Sequence, residues 1–247
     1  MKVVFAGPTI PDAASLCEPD IIVRRPAIQG DIFRAVEEGA NVIGIVDGGF
    51  EYTAPVWHKE ILYALSAGTR VLGAASMGAL RAAECHAFGM TGVGRIFKEY
   101  REGIRIDDSD VAQIHGPAEL GWLPLSEPLV NITATLELLL ERQLISSAEA
   151  VHLEAVARAL FFKDRTWRSI ITCAPSLENE RKTSIATAVR TCHVNRKRAD
   201  AIELLAVMSR LDAQRSATKP DWEFRRTTLW NDMLKHHSVA KNPGHLS

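Results

Sequence analysis

The sequence predicts an α/β protein in which a parallel sheet is flanked by helices, with an α-helical C-terminal extension, and three observations predict it. Short β-branched apolar runs alternate with helix-period segments through the first half of the chain. Those runs are continuously apolar, as strands covered on both faces must be. From Ser126 onward strand signals fade and helical spacing takes over. The expected organisation is an α/β core over residues 1–125 and a helical subdomain with a C-terminal tail over 126–247.

Strands are expected at 3–6, 21–23, 42–46 and 71–75, each bounded by Gly, Pro or Asp. Ile28, Ile32, Phe33 and Val36 mark one intervening helix. Trp57, Ile61, Leu62 and Leu65 mark another that ends near Gly68. In the second half Ile132, Leu136, Leu139 and Leu140 form an apolar stripe, and helical spacing recurs over 150–162, 177–189 and 199–211. The last stretch, from Lys219, scatters Trp222, Phe224 and Trp230 among charges and reads as either a docking helix or a loosely packed tail.

Composition narrows the function classes. The chain has 247 residues, 47% hydrophobic and 24% charged, the balance of a soluble folded protein. No apolar run approaches the roughly 18–20 residues that cross a bilayer, and residues 1–8 suit a first strand better than a signal peptide. A cytoplasmic protein without membrane contact is expected. Cys17, Cys85, Cys173 and Cys192 are widely spaced, which favours reduced thiols over a disulfide or zinc framework. The net charge is −1, with residues 1–125 acidic on balance and 126–247 basic. That asymmetry is too mild for nucleic acid but suits a charged protein partner. No phosphate-loop or dinucleotide motif is present, and no cofactor is expected.

The most informative segment is residues 71–84, a buried strand running into an alanine-rich helix with Ser76 at the turn. A hydroxyl there stands clear of the sheet beside helix N–H groups that have no intrahelical acceptor. Ser76 is therefore either a nucleophile or an ordinary N-cap. As a nucleophile it needs a base. Lys59, early on the helix that leads into the 71–75 strand, is the first candidate, its ammonium disfavoured by burial and by the helix dipole; a surface lysine paired with Glu60 is the alternative. His58 is the rival, unless it is a core imidazole, and His86 and His115 have less positional support. For an oxyanion the Met77 N–H is the natural donor and the Gly48–Gly49 pair a second. Gly48, Gly49, Gly73, Gly78 and Ala79 are the small residues available to line a channel. Asp107, Asp108 and Asp110 suit either a cation site or a helix start in a solvated loop, and no metal is expected.

Several uncommon words in fixed order then carry a resemblance: residues 45–48, 56–62, 75–84, 88–94, 115–117 (His115, Gly116, Pro117) and 126–128 together resemble the TfuA-like proteins over roughly 47–131. The resemblance implies partnership with a YcaO-type enzyme that thioamidates a precursor peptide, and release of sulfide from a thiocarboxylated, ThiS-like sulfur-carrier protein by a Ser-Lys hydrolase. Carried onto this chain, the serine is Ser76 and the lysine Lys59, in a family-like motif, in preference to the solvated Lys98. Acyl-enzyme formation and direct hydrolysis both remain open, as does a non-catalytic adaptor that recruits the YcaO enzyme or its peptide.

Overall fold

The structure is a computed structural model that describes residues 1–49, 51–174, 177–217 and 220–241, with side chains described to 235. Phe50, Lys219 and residues 242–247 lie outside the described residues. Five parallel strands form one sheet: β1 (Lys2–Phe5), β2 (Ile21–Arg24), β3 (Val42–Ile45), β4 (Arg70–Ala74) and β5 (Thr91–Val93), in the order β2-β1-β3-β4-β5. Four of them fall on the apolar runs. β5 does not, because Thr91 and Gly92 give it no apolar signal; it is a short edge strand held in register by Leu72, Gly73 and Ala74.

Between the strands run α1 (Ala13–Leu16), α2 (Asp31–Glu37), α3 (His58–Ser66) and α4 (Met77–Cys85), followed by α5 (Gly94–Arg101). In this order the chain reverses direction across the sheet between β1 and β3, so their carboxyl ends part and leave a crevice, the usual ligand position in open α/β sheets. α2, α3 and α4 cover one face through Ile32, Val36, Ile61, Ala64, Ala79 and Ala82.

The opposite face is covered from far along the chain. α6 (Leu129–Glu141), α7 (Ser147–Ala159), α8 (Trp167–Thr172) and α9 (Asn179–Cys192) share an apolar core of their own. α10 (Arg196–Arg210) leaves them and lays Ala201, Leu204, Leu205 and Met208 on Val4, Val42, Val46 and Leu72 of the sheet. Packing thus departs from the boundary drawn at residue 126, since α10 belongs to the layer that completes the α/β core. Gly44 of β3 is small for this reason, as a Cβ there would strike the Met208 sulfur.

α10 is also tied to α5 by a buried carboxylate. Asp200 is 1% exposed, and its Oδ2 accepts the Ile96 N–H at 2.7 Å. Burial pushes its pKa up to about 6, against the pull of the Ile96 and Arg95 N–H groups. A carboxyl raised in the folded state lends stability below its unfolded pKa, and that stability is lost as pH rises through about 6. Asp200→Asn should therefore gain on the wild type by about 2–3 kcal/mol between pH 4 and pH 8 in paired urea melts. A difference independent of pH would contradict this.

The C-terminal segment docks. Trp230, at the start of α11 (Thr228–Lys241), is fully buried against Phe33 of α2, Tyr63 of α3 and Phe224. Trp222 donates its indole N–H to the Phe88 carbonyl at 3.2 Å. Among the described residues no helix is long and apolar enough to cross a membrane.

Candidate functional site

Ser76 sits in a strained turn. Ala75, which precedes it, has φ +67°, a left-handed value for a residue with a Cβ, and the Ser76 N–H turns back onto the Ala74 carbonyl at 2.8 Å. Two glycines let α4 start so close to the sheet: a Cβ on Gly78 would strike the Ile45 carbonyl oxygen, and one on Gly73 the Gly78 carbonyl oxygen. The Ser76 side chain makes no capping hydrogen bond, and its hydroxyl has no partner among the described residues. The turn thus combines backbone strain with a half-buried, unclaimed hydroxyl.

The hydroxyl opens into a cleft of about 560 Å³ beyond the carboxyl ends of β1, β3 and β4. Pro8, Asp47, Gly48, Gly49, Met77, His115, Trp122 and Lys197 share its walls. Asp47 follows β3 and is nearly saturated: Oδ2 accepts the Gly7 and Thr9 N–H groups at 2.9 and 3.0 Å, and Oδ1 the Thr9 hydroxyl at 2.5 Å. Its work is to pin the loop after β1 against the loop after β3. The N–H groups of Gly48 and Met77 have no acceptor among the described residues. The Met77 side chain packs against Gly48, where a Cβ would meet its Cγ at 2.8 Å. Both residues line the cleft that Ser76 lines.

The remaining sequence-derived residues divide. The Gly49 N–H donates to the Ala27 carbonyl and the Gly78 N–H to the Val46 carbonyl, so neither is free as a donor. Gly73, Gly78 and Ala79 pack α4 onto the sheet and do not line the cleft.

Lys59 is absent from the cleft walls. Its ammonium lies over the Phe224 ring, 4.9 Å from the centroid, on the side of α3 that the C-terminal segment covers. It does not pair with Glu60 either. That carboxylate is fully buried and accepts the Trp57 and Phe33 N–H groups at 3.3 Å. His58 is an exposed residue, not a core one, and its Nε2 faces Glu84 Oε2 at 2.8 Å outside the cleft.

The lysine that shares the cleft with Ser76 is Lys197, from the first turn of α10. It is 3% exposed and donates from Nζ to the Val111 carbonyl at 2.9 Å. Burial lowers its pKa from the ordinary lysine value, against the smaller opposing influence of the Asp47 and Glu127 carboxylates. Its backbone is held by Asn131, whose Oδ1 accepts the Lys197 N–H at 3.2 Å while its Nδ2 donates to Glu127 Oε1 at 2.9 Å. A sequence signal existed. Lys197 falls on the stripe 197, 201, 204, 205 and 208, a charge on an otherwise apolar helix face.

Asp107 and Asp110 of the acidic cluster are engaged by their neighbours, and Asp108 lines the cleft. Asp110 pairs with Arg105 at 2.9 Å, and Asp107 accepts the Ser109 N–H at 2.8 Å. No group of three or more His, Cys, Asp or Glu among the described residues is arranged to hold a metal ion. Cys85 is buried, which raises its thiol pKa to about 11 and keeps it from acting as a thiolate.

Fold and site together define a doubly wound α/β protein with a serine and a buried lysine in one cleft beyond its strand ends. Residues 47–166 match the family model described as TfuA-like protein, and the chain belongs to the TfuA-like family. Among curated proteins none matches the chain. The matched segment carries Asp47, Gly48, Ser76, Met77, His115 and Asn131, while Lys197 lies beyond it.

Proposed function

We propose that this protein hydrolyses the C-terminal thiocarboxylate of a small ThiS-like sulfur-carrier protein, with Ser76 as nucleophile and Lys197 as its base. The sulfide passes to a YcaO-type partner that thioamidates a precursor peptide. The observation that carries this reading is one cleft holding an unclaimed serine hydroxyl, a buried lysine of lowered pKa and two vacant N–H groups. The general association of TfuA-like proteins with YcaO systems supplies the biological setting.

A serine is a weak nucleophile until a base takes its proton, and a desolvated lysine is such a base. Lys197 takes the Ser76 proton as Oγ attacks the carbonyl carbon of the carrier's terminal glycine. The oxyanion rests on the Gly48 and Met77 N–H groups, whose positions are fixed before substrate arrives. Collapse expels the sulfur and leaves an ester on Ser76, which water then clears.

The test incubates the protein with a carrier bearing a C-terminal thiocarboxylate and follows sulfide together with the intact mass of the protein. Sulfide and carrier carboxylate in equal amounts, with a transient carrier ester at Ser76, are the expected results. No release alongside intact binding of a YcaO enzyme would favour the adaptor reading. Lys59→Ala should hold its rate within about two-fold, because the side chain packs on Phe224 outside the cleft. A loss of about 100-fold or more would return the base to α3.

A further inference from the structure

The segment His115, Gly116 and Pro117 has no part in the chemistry so far, yet His115 lines the same cleft as Ser76 and Lys197. Its ring is fixed on two sides. Nδ1 lies 2.8 Å from the Gly116 carbonyl oxygen, and the Trp122 ring meets it edge-on at 5.0 Å and 75°. A carbonyl oxygen only accepts, so Nδ1 carries a proton and Nε2 is the nitrogen that exchanges one. Nε2 has no partner among the described residues.

The loop that holds the ring is over-determined. The Leu125 N–H donates to the Ile114 carbonyl at 2.8 Å, the Gly116 N–H to the Leu123 carbonyl at 2.8 Å, and the Ile114 N–H to the Ser126 hydroxyl at 2.8 Å. Together they hold Trp122 at φ +59°, a left-handed conformation that is costly for so bulky a residue. The loop accepts that strain with an indole placed against the imidazole at a cleft wall.

The geometry points to His115 as the acid of the reaction, delivering a proton from Nε2 to the departing sulfur. This rests on the reading of Ser76 as the nucleophile toward a thiocarboxylate. The sulfur of a thiocarboxylate is already anionic, and it cannot leave as a dianion. One proton must reach it before the C–S bond breaks.

Protons and bonds then balance over the cycle. Ser76 Oγ forms its bond to carbon and gives its proton to Lys197, while the proton on His115 Nε2 goes to sulfur, which leaves as hydrosulfide. Neutral His115 next takes a proton from water as the water oxygen bonds to the ester carbon. Ser76 Oγ departs with the proton held by Lys197. The carrier ends as a carboxylic acid, and both side chains return to their starting states. The pair holds one mobile proton at the start, in the ester intermediate and at the end of the cycle.

The decisive experiment compares two substrates on His115→Gln: the carrier thiocarboxylate, whose sulfur needs a proton, and the same carrier as a C-terminal phenyl thioester, whose thiolate leaves without one. The expected result is a loss of at least about 100-fold in sulfide release. The first-turnover burst of thiophenolate should stay within about five-fold of wild type, since acylation by Ser76 and Lys197 is intact. Because the ring also packs on Trp122, His115→Ala with added imidazole serves as a second measurement, and recovered sulfide release is expected. Equal losses on both substrates without imidazole rescue, or no loss on either, would overturn the proposal. Should the wild-type protein release no sulfide and form no acyl adduct, the underlying reading fails instead.

Discussion

Ser76→Ala is expected to leave a folded protein that releases no measurable sulfide from a carrier thiocarboxylate, a loss on the order of 10⁴-fold or more if acylation is obligatory. The fold should tolerate the change because the hydroxyl caps nothing and bonds to nothing among the described residues. The strained turn depends on Ala75, Gly73 and Gly78, which the substitution does not touch. An unchanged melting temperature with lost turnover is the expected pair of results. Residual hydrolysis within ten-fold of wild type would mean that water, not Ser76, attacks the carbonyl.

Lys197 gives the second large effect and separates a base from a mere positive charge. Lys197→Met should cost on the order of 10³-fold in sulfide release. Lys197→Arg should be as poor, since a guanidinium retains the charge but does not give up a proton in this range. With the lysine pKa lowered by burial, wild-type activity should rise with pH through a limb that lies below the ordinary lysine value of 10.5.

The stability sign is the reverse of a salt-bridged lysine. A lysine depressed in the folded state costs stability at neutral pH, and the cost shrinks as pH rises toward 10.5. Lys197→Met is therefore expected to unfold at the same or a higher temperature than wild type at pH 7 while losing activity, the usual trade at a strained functional position. A methionine variant that kept its rate would dismiss the lysine as the base.

The sheet was legible in the sequence wherever a strand carried β-branched residues, as in β1, β3 and β4, and illegible in β5, whose Thr91–Gly92 owes its pairing to Gly73 and Ala74. The Ser76 turn could be found because strand, small residues and helix follow one another without interruption. The lysine that shares its cleft could not be found in the same way. Proximity along the chain favoured Lys59, but α3 turns that residue toward Phe224, whereas α10 returns across the second sheet face and delivers Lys197. Sequence neighbours share a helix, not a face. The charge at position 197 within an apolar stripe was the available signal, and it pointed at burial without naming the residue it would meet. His58 was misplaced for a related reason: it opens α3, where Glu84 of α4 draws it outward.

Because Ser76 belongs to the first half of the chain and Lys197 to a helix that completes the sheet from the second, neither half alone holds both residues of the cleft. A nascent or clipped chain ending before α10 would expose the alcohol with nothing to activate it. On the proposed reading, sulfide release is thereby tied to the finished protein, without any separate inhibitor.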